Sequence, residues 1–144
     1  MEATRPNVLG VAERNLPPIA VVLSFIDCIN RGEVLGMERL MTADHVLHVY
    51  NEVPLAGRDK NVDAWSGYLR GFPSYVIYPH RFAASGNRVA VLGHTTGSHL
   101  GLPNSEESTM TLIWIAEIES GKVRLWRLVE DTPKNRAELG LELV

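Results

Sequence analysis

The stretch from Arg88 to Asp131, RVAVLGHTTGSHLGLPNSEESTMTLIWIAEIESGKVRLWRLVED, constrains the fold more than any other. Its β-branched and apolar residues come in long runs, cut by a polar loop over Leu102 to Glu107 and by Ser120-Gly121. Such runs, bounded by turn residues, read as strands. The predicted strands are Arg88 to His99, Thr109 to Ile118 and Lys122 to Glu130. Another, Tyr75 to Ala84, precedes them across Ser85-Gly86-Asn87, and its Pro79 marks an edge position or a bulge. Strands joined by short turns must be antiparallel. The stretch also carries His94, His99, Trp114, Trp126 and the pair Glu130-Asp131, so it is expected to supply most of the wall of any pocket.

The segment before these strands is mostly helical. After Pro17-Pro18, residues Ile19, Val22, Leu23, Ile26 and Ile29 recur at helical spacing, and Gly32 supplies a stop. A shorter helix is expected over Glu33 to Met41. Asp44 to Tyr50 alternates as a strand, with Val46, His48 and Tyr50 on one face and Leu47 and Val49 on the other. Asp59 is a plausible N-cap for a third helix, Lys60 to Arg70, which carries Val62, Trp65 and Leu69 with Tyr68 alongside. Pro133 to Gly140 makes a terminal helical turn or two. Helices first and hairpin strands after predict an α+β domain, residues 18–144, behind a loose arm at 1–17.

Size and charge narrow the function classes. The 144 residues suffice for one domain with a genuine core. A formal net charge of -3, with basic residues scattered singly, gives no case for nucleic acid or an anionic membrane as partner. Cys28 is the one cysteine, which excludes an internal disulfide. It lies in an apolar helical run and reads as a small core thiol. No two histidines sit at i, i+2 or i, i+4, so no metal is expected. The amino-terminal residues lack a basic-then-apolar signal pattern, and a cytoplasmic protein is the expectation.

The order of elements, with FIDCINRGEVLGMERLM, VYNEVPLAGRDKNVDAW, GNRVAVLGHTTGSHLG and IAEIESGKVRLWRLVED in sequence, resembles the nuclear transport factor 2-like superfamily and its SnoaL-like polyketide cyclase branch. The resemblance spans roughly Pro18 to Leu141. It implies a cone: a curved, mixed but mainly antiparallel sheet wrapped on three N-terminal helices, with an internal pocket. It also implies a cofactor-independent cyclase, isomerase or dehydratase, or a non-catalytic binder of apolar ligands. Fold membership alone does not assign the chemistry.

Several residues could carry that chemistry. His94 lies mid-strand with Thr96 on its face; it is either a cavity acid or base or a core histidine satisfied by a threonine or carbonyl. His99 has the opposite parity, and Gly97 could host a bulge that re-aims it. Its setting, Gly97-Ser98-His99-Leu100-Gly101, is similar to the G-T-H-x-G stretch of SnoaL-like proteins. The resemblance places an acid at the end of the last strand, where Glu130 and Asp131 stand, and alternation allows only one of them to point inward. His48, Tyr50, Trp65, Tyr68, Thr96, Trp114 and Trp126 complete the expected ligand-binding set, suited to a flat or apolar molecule. Limonene-type epoxide hydrolysis is disfavoured: Leu128 stands where that W-R-D motif needs its aspartate, and the Arg-x-Asp pair is absent from Thr109 to Trp114. Ile113 and Ile115 alternate with Leu112 and Trp114, leaving both faces of one strand apolar, so a homodimer through the outer sheet face is expected.

Overall fold

The computed structural model describes residues 16–142. Most of the arm expected at 1–17 therefore lies outside the described residues. Helix α1 (Pro18–Arg31) opens with a proline at its first position and closes on Gly32, whose left-handed φ of 69° lets its N–H reach the carbonyls of Cys28 and Ile29. Its buried face is Val21, Val22, Phe25, Ile26 and Ile29. Leu23 is 46 % exposed, so the apolar stripe is rotated from the predicted one. Helix α2 (Val34–Arg39) is shorter than expected and buries Met37.

Strand β1 (Met41–Val49) follows, then the two-residue strand β2 (Leu55–Ala56) and helix α3 (Arg58–Gly71). The N-cap of α3 is Gly57, not Asp59, which lies in the first turn and there favours the positive end of the helix dipole. Strands β3 (Val76–Ser85) and β4 (Arg88–Thr96), the single-turn α4 (Asn104–Glu107), β5 (Leu112–Glu119), β6 (Lys122–Glu130) and α5 (Pro133–Leu139) complete the order.

The six strands form one curved, open sheet in the order β2-β1-β6-β5-β4-β3. All neighbours are antiparallel except β1 and β6. Strand β3 is an edge, and its register shifts between Pro79 and Arg81, so Pro79 has both features expected of it. The β1–β6 register is interrupted between Met41 and Val46. His45 fills that interruption: it is 0 % exposed, and its Nδ1 lies 2.6 Å from the Val123 carbonyl, which accepts the ring proton.

The two sheet faces bury different partners. The inner face carries Val89, Val91, Trp114, Ala116 and Trp126 against α1, with Phe25 and Trp126 ring centroids 5.0 Å apart. The outer face carries Ala90, Leu92 and Ile113 under Leu139 and Leu141 of the chain's own C-terminal segment. Arg81 ties that segment down by donating to the Leu141 carbonyl at 2.8 Å. Ile113 is 0 % exposed within the single chain. The apolar outer face on which a homodimer was expected is thus covered internally around Ile113. No described helix is long and apolar enough to cross a membrane.

Candidate functional site

A cavity of about 230 Å³ opens between α3 and the inner sheet face. Its wall is Leu47, Val49, Ala64, Trp65, Tyr68, Tyr75, His99, Trp114, Trp126 and Leu128. Six of these ten residues precede Arg88, so the Arg88–Asp131 stretch supplies less than half of the wall. Helix α3 accounts for this: Ala64, Trp65 and Tyr68 lie at i, i+1 and i+4, one side of a helix laid over the sheet. Alternation on β1 turns Leu47 and Val49 inward.

His99 stands at the rim, exposed, and is the one imidazole among the lining residues. It reaches the cavity because the chain leaves β4 at Gly97, not through a bulge inside a continuing strand. Gly97 has φ 71°, and a Cβ there would lie 2.3 Å from the Ser74 carbonyl oxygen, so no other residue fits. The Tyr68 hydroxyl is 2.9 Å from His99 Nδ1 and accepts the His99 backbone N–H at 3.2 Å. The rings of Tyr68 and His99 meet edge to face at 5.7 Å, and Phe72 closes on His99 at 6.1 Å.

Behind this pair lies a buried carboxylate. Glu107, on α4, is 1 % exposed; its Oε2 accepts from Thr95 Oγ1 at 2.5 Å and its Oε1 from the Ser98 backbone N–H at 3.4 Å. It braces the turn that presents His99. Among the described residues no basic side chain pairs with it. Burial pushes the Tyr68 hydroxyl above the usual phenol range; the His99 N–H opposes this and the Glu107 charge adds to it. Tyr75 is driven up further, first by burial and then by Tyr68, Glu107 and Tyr50. Both phenols are therefore fixed as neutral hydrogen-bond donors.

The structure brings Trp65, Tyr68, His99, Trp114 and Trp126 together in the wall. It does not bring His94 there. His94, Thr96 and Tyr78 share the outer face: His94 stacks on the Tyr78 ring at 4.6 Å, and Thr96 Oγ1 is 3.4 Å from the Tyr78 hydroxyl. The inner residues of β4 are Val89 and Val91, and two-residue alternation then sends 94 and 96 outward. His48 is excluded likewise, because its neighbours Leu47 and Val49 take the inner face. Tyr50 sits just past β1 with φ 49°, off the strand's alternation, and is half-buried; burial and the Glu130 charge raise its pKa.

Neither acid enters the cavity. Glu130 shares parity with Trp126 and Leu128 but is exposed at the strand end. Asp131 is bound by Arg136, with Nε to Oδ1 at 2.6 Å and Nη2 to Oδ2 at 2.7 Å, and by the Thr111 hydroxyl. The Arg136 hydrogen bonds hold its pKa below the usual carboxylate range. It is the anchor of α5, not a proton shuttle. Sequence reasoning placed Glu107 in a polar loop and left Tyr75 out of the site. The signal available for Tyr75 was its place just after the Gly71–Pro73 stop, where the chain must turn back toward α3.

The elements define an α+β fold in which a curved sheet is closed by helices over an aromatic cavity. The chain belongs to the SnoaL-like domain family, whose model matches residues 22–126. No curated protein sequence matches it. Among solved structures it is similar to an uncharacterised cystatin-fold protein from Novosphingobium aromaticivorans (TM-score 0.69, 15 % identity, 81 % of this chain and 100 % of that one). It is similar to a putative polyketide cyclase from Sinorhizobium meliloti (TM-score 0.65, 18 % identity, 81 % and 97 %). It is also similar to an LEH-like epoxide hydrolase of M. tuberculosis (TM-score 0.65, 16 % identity, 79 % and 78 %). Identities this low establish the shared fold alone.

Proposed function

We propose that the protein is a cofactor-independent enzyme of the cyclase, isomerase or dehydratase kind, moving a proton on an apolar carbonyl substrate, with His99 as the proton carrier. The observation that carries this is the Tyr68–His99 hydrogen bond of 2.9 Å at the mouth of an apolar cavity. The pair has two proton arrangements. With Tyr68 donating to Nδ1, the imidazole N–H sits on Nε2 and donates a hydrogen bond to the substrate oxygen. With Nδ1–H donating to the Tyr68 oxygen, Nε2 is a free base that takes the proton from the carbon next to the carbonyl, becoming imidazolium, and returns it to the substrate, while the neutral phenol O–H turns to hydrogen-bond the ligand. Tyr75 is a second neutral donor for a developing oxyanion. Trp65, Trp114 and Trp126 exclude water and hold a flat ring system.

The test is hydrogen–deuterium exchange at the carbon next to the carbonyl, followed by NMR in D₂O, over a panel of cyclic enones and aromatic ketones. Catalysed exchange is expected, lowered about 10²- to 10⁴-fold by His99→Gln. Exchange unaltered by that substitution overturns the assignment of His99.

A second reading, a non-catalytic binder of apolar ligands, is favoured by one observation: seven of the ten wall residues, all but Tyr68, Tyr75 and His99, carry no acid–base side chain. Tight binding of panel compounds with no exchange above the uncatalysed rate would select it.

A further inference from the structure

His80 and His94 meet on the opposite side of the sheet from the cavity. His80 Nε2 lies 2.7 Å from His94 Nδ1, and the ring centroids are 4.9 Å apart. Two features of the fold bring them together. The β3 register passes from Pro79↔Gly93 to Arg81↔Leu92, leaving His80 as the extra residue of a bulge beside Tyr78↔His94. Gly93 permits the close approach, since a Cβ there would lie 2.4 Å from the Tyr78 carbonyl oxygen. The His94 ring is then fixed by near-parallel stacking on Tyr78, at 16°. His80 is exposed on an edge strand, so water and ions reach the pair freely.

We propose that His80 Nε2 and His94 Nδ1 form a two-imidazole site for a divalent transition-metal ion that prefers tetragonal geometry, copper(II) or nickel(II). The ligand set makes the choice. Two imidazole nitrogens completed by water suit the tetragonal coordination of copper(II) or nickel(II), with copper(II) highest in the Irving–Williams order, whereas zinc sites take three or four protein ligands. The present N–H···N hydrogen bond of 2.7 Å holds the two nitrogens against one another, and the metal replaces its proton as the rings turn. Binding needs no net proton release: the ring that donates the present N–H···N bond passes to its other tautomer, and both facing nitrogens offer lone pairs. Water fills the remaining positions. The site is independent of the cavity and of any reaction there.

Copper(II) and nickel(II) titrations of the untagged full chain, read by calorimetry and, for copper, by electron paramagnetic resonance, test this. One equivalent is expected to bind, with hyperfine splitting from two equivalent imidazole nitrogens. His80→Gln and His94→Gln should each weaken binding at least tenfold and leave at most one such nitrogen, whereas His48→Gln should change neither. Both substitutions fall on surface-accessible rings, and unchanged circular dichroism would confirm that the variants fold. Binding that survives both substitutions, zinc bound as tightly as copper, or a wild-type spectrum without two imidazole nitrogens overturns the proposal.

Discussion

The Tyr68 hydroxyl touches His99 twice, 2.9 Å from the ring Nδ1 and 3.2 Å from the backbone nitrogen, so one phenol fixes both the ring and the turn that carries it. Tyr68→Phe removes both contacts but keeps the edge-to-face packing on Tyr75 at 5.1 Å. It is expected to cost only about 1 kcal/mol of stability while lowering the exchange rate roughly tenfold or more. Urea melts alongside the exchange assay separate the two effects. Equal rates in the variant and wild type would show that the phenol does not position the imidazole.

Gly97→Ala should be far more damaging than its size suggests. The left-handed φ alone costs an alanine about 1–2 kcal/mol, and the Ser74 carbonyl lies where the new Cβ must go. The turn has to open, carrying Ser98 off Glu107 and His99 off Tyr68. A fall in unfolding free energy of about 2 kcal/mol or more is expected, with loss of ligand-induced tryptophan fluorescence change. A variant as stable as wild type would contradict the steric argument.

His45 makes stability sensitive to acid. Burial lowers its pKa; the Val123 hydrogen bond and Asp44 act against this, and Nε2 has no partner among the described residues. The folded state therefore binds a proton less readily than the unfolded chain. Its contribution is complete above the unfolded histidine value of about 6.5 and declines as pH falls below it, by at most about 1.4 kcal/mol per pH unit for one proton. Chemical denaturation at several pH values between 7 and 5 should show this slope, flattened in His45→Gln. An identical slope in the variant would assign the acid sensitivity elsewhere.

Asp131→Asn tests the anchoring role of that carboxylate. The ion pair with Arg136 holds α5, and with it Leu139 and Leu141 over Ile113. Loss of the paired, charge-assisted bonds should cost about 2 kcal/mol and speed amide exchange in α5. Because its folded pKa is depressed, Asp131 stabilises above about pH 3.9, and that contribution is lost as pH falls further. The cavity lies on the other face, so ligand affinity should be unchanged; a large drop would return this acid to the site.

The four C-terminal strands, their short turns, the three helices and the edge character of Pro79 were legible because each rests on local spacing and turn chemistry. The aromatic content of the cavity was legible for the same reason: Trp65, Tyr68, Trp114 and Trp126 sit at positions whose period buries them. What misled was the face. His94 and His99 differ by an odd number of residues, so at most one could face inward from a continuous strand, and which one depends on which face of β4 packs against α1. Likewise Asp131 reads as a strand-end acid until Arg136, five residues on, folds back onto it.

The sequence by itself determined which segments are helix and which are strand, and that their apolar faces need a common core, because period and turn residues act over a few neighbours. Only the tertiary structure decided the rest. It chose the inner face of β4, set Glu107 beneath Ser98, and brought His80 to His94 across fourteen residues of chain. Those outcomes depend on register, bulges and packing between distant segments, and a one-residue change in any of them turns a side chain to the other face.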